Sequence, residues 1–206
     1  LVSCTAIAYG FARFEFPGKN LFFGLVVLTL VIPPQLLMIP YYLHYRYFDF
    51  YGLIAKPGLN LLGTFWPFVL TSLTGTGFRN GLYIYIMRQF FKGMPRDLED
   101  AAYVDGAGPL RTFFTIMVPG AIPAQVVVFL FAFVWQWNDY FLTKVFIGSK
   151  KVLAVTLEGL VQNVFDKSLI PSGTGSAYAS VLENTGSLLF MAPLIILYIL
   201  LQRYFI

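Results

Sequence analysis

The chain has 206 residues, of which 58% are hydrophobic and 12% charged, with a mean hydropathy of +0.72; a soluble globular domain carries about a quarter of its residues as charges. That composition excludes an ordinary soluble domain and marks a membrane chain. The net charge of +4 comes from basic residues scattered over span ends and loops; with no basic stripe a nucleic-acid surface is not expected, and these residues read as topology signals.

From the start of the chain, Leu1 to Phe14 is apolar and contains the chain's one cysteine, Cys4, which cannot form an internal disulfide, so the fold needs no oxidising compartment. Arg13 suits an anchor at a membrane face, and Arg13 to Asn20 reads as a tight turn. Leu21 to Tyr45 is a run of 25 nearly uncharged residues, enough to cross a hydrocarbon core of about 30 Å. Pro33-Pro34 in its middle removes two hydrogen-bond donors and predicts a kink. Tyr45 to Pro57 mixes Arg46, Asp49 and Lys56 with tyrosines, as at a headgroup interface. His44 stands without a second His, Cys or suitably spaced carboxylate, so no metal site is expected. Leu59 to Phe91 is too long for one straight crossing; its helix is expected to start near Trp66-Pro67 and to loosen at Gly75-Thr76-Gly77.

The next stretch, Leu98-Glu99-Asp100-Ala101-Ala102-Tyr103-Val104-Asp105-Gly106-Ala107, is polar, helix-like and too short to span. Pro95 suits a first helical residue. Asp97, Glu99 and Asp100 put negative charge in the first turn, and Gly106 and Gly108 are expected to supply a left-handed stop. The predicted helix has about three turns. Leu98, Ala101, Ala102 and Asp105 fall on one face, small at its centre and suited to docking; an amphipathic helix lying at the lipid interface is the plainer alternative. Arg88, Lys92, Arg96 and Arg111 surround this segment, and such clusters beside short loops place it in the cytoplasm. Pro109 to Val118 reads as a second short helix with Phe113, Phe114, Met117 and Val118 as its apolar face. Ile122 to Leu142 is expected to cross outward and to end in Trp135-Gln136-Trp137-Asn138-Asp139-Tyr140. Residues 144–184 form a long outside loop with helical spacing over Val152 to Val164 and a flexible tip at Ser172-Gly173-Thr174-Gly175-Ser176. Its Lys144, Lys150, Lys151 and Lys167 do not bear on orientation, because long loops translocate largely regardless of charge. Thr185 to Phe205 is the final span, anchored by Arg203.

Asp100-Ala101-Ala102, Asp105-Gly106-Ala107 and Ile116-Met117-Val118-Pro119 together resemble the EAA loop of binding-protein-dependent ABC importer permeases, with Asp for the usual first Glu and Val for the usual Leu. Ala8-Tyr9-Gly10-Phe11-Ala12-Arg13, Phe16-Pro17-Gly18, Ile32-Pro33-Pro34-Gln35, Met87-Arg88-Gln89-Phe90-Phe91, Trp137-Asn138-Asp139 and Gln202-Arg203-Tyr204 are similar to the sugar-importing, maltose-type branch. The likeness is weakest over Tyr41 to Gly63 and Lys144 to Gly175. The resemblance implies an all-α, polytopic helical membrane protein of the cell membrane, with about five spans here, the first partial, forming a single permease domain over 1–206. It implies a cytoplasmic coupling loop over 95–119, an extracytoplasmic loop over 144–184, and a fragment lacking an upstream span and a C-terminal tail. Asp100, Ala101, Ala102, Asp105, Gly106 and Ala107 become the coupling residues: the two aspartates meet donors on an ATPase, and the small residues permit close approach.

The implied partners are a second permease subunit, two ATP-binding subunits, an extracytoplasmic solute-binding protein and membrane lipid. No cofactor is implied. The chain lacks a Gly-x-x-x-x-Gly-Lys-Ser/Thr loop, so ATP hydrolysis is expected on another subunit. The solute is expected to be a carbohydrate, with glycerol phosphate or a polyamine as the alternatives within the family. Outside it stand an ion-coupled transporter and a membrane-embedded enzyme, the latter without a nucleophile, paired carboxylate or metal motif to support it. Arg79 lies about 13 Å from Arg88 along a continuous helix, a depth at which a charge needs protein or water around it. It is expected to line the polar pathway between permease subunits with Asn138 and Asp139 near it; snorkelling to the outer headgroups is the competing expectation.

Overall fold

The computed structural model describes residues 1–50, 52–53, 57–148, 152–153, 156 and 175–202. Lys56, Lys150, Lys151, Lys167, Arg203, most of the Val152–Val164 segment and most of the 172–176 tip lie outside the described residues. The described residues are largely helical, with one isolated antiparallel bridge between Phe48 and Leu59. They fall into two compact units, 1–43 with 66–132 and 44–65 with 133–206.

In the first unit, α1 (Val2–Arg13) packs along α5 (Asn80–Gly93). Cys4, Thr5, Ala8, Tyr9 and Ala12 are buried on α1, at the three- and four-residue steps that put side chains on one face. α5 answers with Gly81, Tyr83, Ile84, Met87, Arg88 and Phe91. Helix α2 (Lys19–Val31) packs on α5 as well, and Gly81 makes the approach possible. A Cβ there would run into Thr29 Oγ1 and lie 2.9 Å from the Val26 carbonyl.

The expected single crossing over Leu21 to Tyr45 is instead two helices, α2 and α3 (Pro34–Arg46), bent by 105°. The corner follows from Pro33-Pro34. Neither residue can donate to the helix, and the residue before a proline is driven to extended backbone; Ile32 sits at φ −72°, ψ 119°. The helix α4 (Trp66–Thr74) begins and ends where the sequence puts it. Gly75 turns left-handed at φ +72°, and the break is stitched by Thr76 N and Gly77 N donating to the Thr71 carbonyl at 3.0 and 3.2 Å and by Asn80 Nδ2 donating to it at 3.2 Å.

The second unit is organised by aromatic contacts. Tyr45 is buried with its ring edge-on to Phe146 at 5.5 Å and stacked with Phe48 at 6.2 Å. Leu61 N donates to the Tyr45 carbonyl at 2.9 Å and Gly63 N to that of Phe146 at 2.6 Å. Trp137, the last residue of α9 (Ile122–Trp137), donates its indole N–H to the Phe190 carbonyl at 3.0 Å. Phe146 belongs to α10 (Phe141–Ile147), and Phe190 to α11 (Gly175–Leu201). The last helix thus starts ten residues before the expected Thr185, within the 144–184 stretch. Ser176 to Asn184 contains no proline or glycine to stop it.

Among the described residues one stretch, Asn184–Leu201, is long and apolar enough to cross a membrane by itself, and each of two bent helix pairs qualifies when its halves are joined. α1, α4 and α5, with 12, 9 and 14 residues, fall short of that length individually.

Two glycines separate packing from propensity. Gly81→Ala is expected to lower the midpoint of thermal unfolding in detergent, because the added carbon overpacks the α2–α5 contact at a cost of about 1–3 kcal/mol. Gly10, inside α1, has open space where its Cβ would stand, so Gly10→Ala should leave the midpoint unchanged or raise it, by up to about 1 kcal/mol of helix propensity.

Candidate functional site

The polar segment after α5 folds as α6 (Asp97–Val104), eight residues and shorter than the expected three turns. Its N-cap is Arg96, whose carbonyl accepts from Glu99 N at 2.9 Å and Asp100 N at 3.1 Å, so Pro95 precedes the helix instead of opening it. Asp97, Glu99 and Asp100 occupy the first turn, where the exposed backbone N–H groups favour negative charge. The helix ends because Gly106 adopts φ +78°. Ala107 N then donates to the Ala102 carbonyl at 2.9 Å and Gly106 N to that of Tyr103 at 3.0 Å, the paired bonds of a Schellman cap. Asp105-Gly106-Ala107 is thus a helix stop with a mechanism. Gly108, expected to share that role, is extended at φ −75°, ψ 168° and serves as the N-cap of α7 (Pro109–Thr112).

The expected docking face is divided. Ala102 is buried, and the residue three before it, Glu99, is buried beside it on the inner side. Leu98, Asp100, Ala101, Asp105 and Gly106 are exposed, Val104 is 88% exposed, and Ala107 is half-buried.

What turns Glu99 inward is a charge partner on α1. Arg13 Nε lies 2.9 Å from Glu99 Oε2, with both side chains under 10% exposed, at 7% and 8%. Tyr9 Oη donates to Glu99 Oε1 at 2.6 Å, and Arg13 Nη2 donates to the Met94 carbonyl at 2.8 Å. Tyr9 itself packs edge-on to Phe91 and Phe14, each at 5.6 Å, and lies 4.8 Å from Phe113. Arg88 is buried too: its Nε donates to the Phe11 carbonyl at 3.3 Å and its guanidinium stands 3.7 Å over the Phe23 ring. Lys92, Arg96 and Arg111 remain exposed around α6. In the turn after α1, Lys19 Nζ donates to Glu15 Oε1 at 2.8 Å, and this bond with its charge holds the Glu15 carboxyl below the usual range. Tyr9, Arg13 and Glu99 as a group were not apparent from motifs. The available signal was spacing, since Glu99 and Ala102 are three apart and share a face.

The second short helix continues from α7 through a π-helical turn (Phe113–Met117) into α8 (Val118–Gly120). Phe113 and Met117 are buried against the unit, whereas Phe114, expected on the same face, is 63% exposed. The 109–120 helices meet α9 at a 73° bend. Gln125 Nε2 donates to the Val118 carbonyl at 2.7 Å across that corner.

Arg79 is the N-cap of α5, its carbonyl accepting from Leu82 N at 3.1 Å and Tyr83 N at 3.4 Å. It belongs to the first unit, while Asn138 and Asp139 belong to the second. There Asn138 Nδ2 donates to the Val134 carbonyl at 2.8 Å, and Asp139 Oδ1 accepts from Leu142 N at 3.3 Å in the first turn of α10. His44 is exposed, its ring edge-on to Tyr45 at 5.0 Å and Phe48 at 5.4 Å.

Residues 4–206 match the model of the family described as the binding-protein-dependent transport system inner membrane component. The chain is 34% identical over 203 residues to the osmoprotective compounds uptake permease protein GgtD of Synechocystis sp., covering 98% of this chain and 60% of that one. It is 32% identical over 196 residues to the trehalose transport system permease protein SugB of Mycobacterium tuberculosis, covering 95% and 64%. Against the sn-glycerol-3-phosphate transport system permease protein UgpE of Pectobacterium atrosepticum it is 31% identical over 199 residues, covering 97% and 62%. The chain therefore spans under two thirds of the length of these three relatives. The fold resembles that in the crystal structure of a bacterial ABC transporter involved in the import of the acidic polysaccharide alginate, with a TM-score of 0.71 at 21% identity over all of this chain and 70% of that one.

The division of α6 into two faces is testable by thiol labelling in a Cys4→Ser background. Cysteine at Asp100, Ala101 or Val104 should react quickly with a water-soluble maleimide and cysteine at Ala102 slowly, because reaction follows exposure. Equal rates at all four positions would contradict the division.

Proposed function

Because the chain belongs to the family of binding-protein-dependent transport system inner membrane components, we propose that it is the core of one permease subunit of an ATP-driven importer. Its helices form half of a solute pathway in the cell membrane, and α6, on the cytoplasmic side, receives the stroke of a separate ATP-hydrolysing chain. A second permease subunit, a pair of ATP-binding subunits and an extracytoplasmic solute-binding protein complete the assembly. The observation that carries this reading is the open face of α6. Asp100, Ala101 and Asp105 form a small, acidic surface that is exposed among the described residues, and such a surface suits a basic or N–H-lined groove on a partner. Gly106 and Ala107 belong to the same site as its helix stop, and Ala102 as the small residue beneath it.

Transport then amounts to a population shift, in which ATP bound to the partner favours an outward-facing state and α6 carries that bias to the spans. The solute is a carbohydrate, a reading supported by the sugar-branch motifs and by the relative named for trehalose. A phosphorylated polyol is the second reading, favoured by the relative named for sn-glycerol-3-phosphate. Uptake of radiolabelled disaccharide against glycerol phosphate, with the cognate solute-binding protein present, separates the two. Arg79, Asn138 and Asp139 are assigned to the polar pathway; cysteine at each should react with a small charged thiol reagent, and inertness of all three would remove them from it.

Gly106→Leu tests the docking assignment. The left-handed backbone costs a side-chain-bearing residue about 1–2 kcal/mol, and the leucine would stand on the open face, where nothing lies within 4 Å. The variant should insert normally but fail to retain the ATP-hydrolysing chain on affinity purification, or hydrolyse ATP without transport. Transport at the unmodified rate with normal ATPase stimulation would refute the docking role.

A further inference from the structure

An eight-residue helix has too few hydrogen bonds to stand alone in water, so α6 depends on what holds its inner edge. That edge consists of Ala102, which offers one methyl group, and Glu99, which is gripped from two directions. Tyr9 Oη and Arg13 Nε each engage a different carboxylate oxygen, at 2.6 and 2.9 Å. Both come from the last two turns of α1, some 90 residues away in sequence. Arg13 also holds the Met94 carbonyl at 2.8 Å, on the linker between α5 and α6, so one guanidinium ties the linker and the helix to the same point.

Burying an ion pair contributes little to stability compared with apolar packing of the same volume, because desolvation offsets the attraction. It does differ from apolar packing in being specific: Tyr9 Oη holds one carboxylate oxygen by a hydrogen bond and the Arg13 charge attracts the other at 2.9 Å without hydrogen-bond geometry, so a slide or roll of α6 breaks the first and lengthens the second. α1 in turn is locked to α5 by the buried face from Cys4 to Ala12. Force applied to the open side of α6 therefore reaches the paired α1–α5 body through Glu99.

We infer that Tyr9, Arg13 and Glu99 form a buried clasp that couples α6 to the α1–α5 pair, and that Glu99 is the positioning residue through which movement of α6 reaches the membrane helices. The inference rests on the permease reading above. It assigns Glu99 a role separate from the outward-facing Asp100 and Asp105, which meet the partner chain, and gives Arg13 a task beyond marking a membrane face.

The test uses the whole importer reconstituted in lipid vesicles, with ATP hydrolysis and solute uptake measured on the same preparation. Glu99→Gln keeps the side chain's shape and removes its charge. Assembly and ATP hydrolysis should persist, while solute moved per ATP falls about ten-fold, within the range by which residues between coupled sites alter coupling. Tyr9→Phe removes one hydroxyl and keeps the ring that packs on Phe91 and Phe113, so folding is preserved; it should lower the same ratio by about three-fold. Combining Arg13→Gln with Glu99→Gln should cost less than the product of the two single losses, because both substitutions break one link. If uptake and ATP hydrolysis fall in proportion in the Tyr9→Phe and Glu99→Gln importers, with the ratio unchanged, the clasp is structural only and the inference is overturned. Failure of the unmodified assembly to transport, or to retain an ATP-hydrolysing chain, would instead overturn the permease reading.

Discussion

The Glu99 carboxylate is a buried negative charge, and a charge removed from water has to be met by donors or it neutralises. Here it is met by a hydrogen bond from Tyr9 and by the Arg13 charge, both on the end of α1. Removing one member of such a pair leaves the other uncompensated, at a cost of about 3–5 kcal/mol. That constraint determines which side of α6 faces inward, and it thereby leaves Asp100, Ala101 and Asp105 outward.

The clasp works only if α1 is itself held in place, and close backbone approach is how the first unit achieves this. Along α1 the inward residues are mostly small, with Tyr9 as the large exception. Tyr9 fills the space among Phe14, Phe91 and Phe113, so its ring packs the junction while its hydroxyl serves Glu99. On the other side of α5, Gly81 brings α2 close, and Arg88 closes the inner end with a ring contact to Phe23 and a hydrogen bond to the Phe11 carbonyl. Membrane helices gain little from burying apolar surface against one another, because lipid is equally apolar; small residues and polar contacts of this sort carry the packing instead.

Local chemistry was legible in the sequence wherever a residue type forces a backbone state. Of the two glycines expected to stop α6, Gly106 is left-handed; Trp66 opens its helix and Gly75 breaks it, as read. Gly108 is the counterexample: a glycine tolerates the left-handed region without requiring it, and one such residue already ends α6. Pro33-Pro34 predicted a bend, but its size of 105° depends on how α3 packs, which no local rule supplies. The start of α11 was missed because the polar residues before Thr185 suggested a loop, although none of them stops a helix. The pairing of Glu99 with Tyr9 and Arg13 was illegible for a different reason: it joins residues about 90 positions apart, and a single sequence carries no signal at that distance beyond the shared face of Glu99 and Ala102.

The central claim is that the inner edge of α6 belongs to its own chain and the outer face to another. A photoreactive amino acid placed in turn at Val104 and at Ala102, in the assembled complex in native membranes, tests it most directly. The account predicts that illumination at Val104 yields a covalent adduct with the ATP-hydrolysing chain and that Ala102 yields adducts within the same chain alone. An intermolecular adduct from Ala102, or none from Val104, would contradict it.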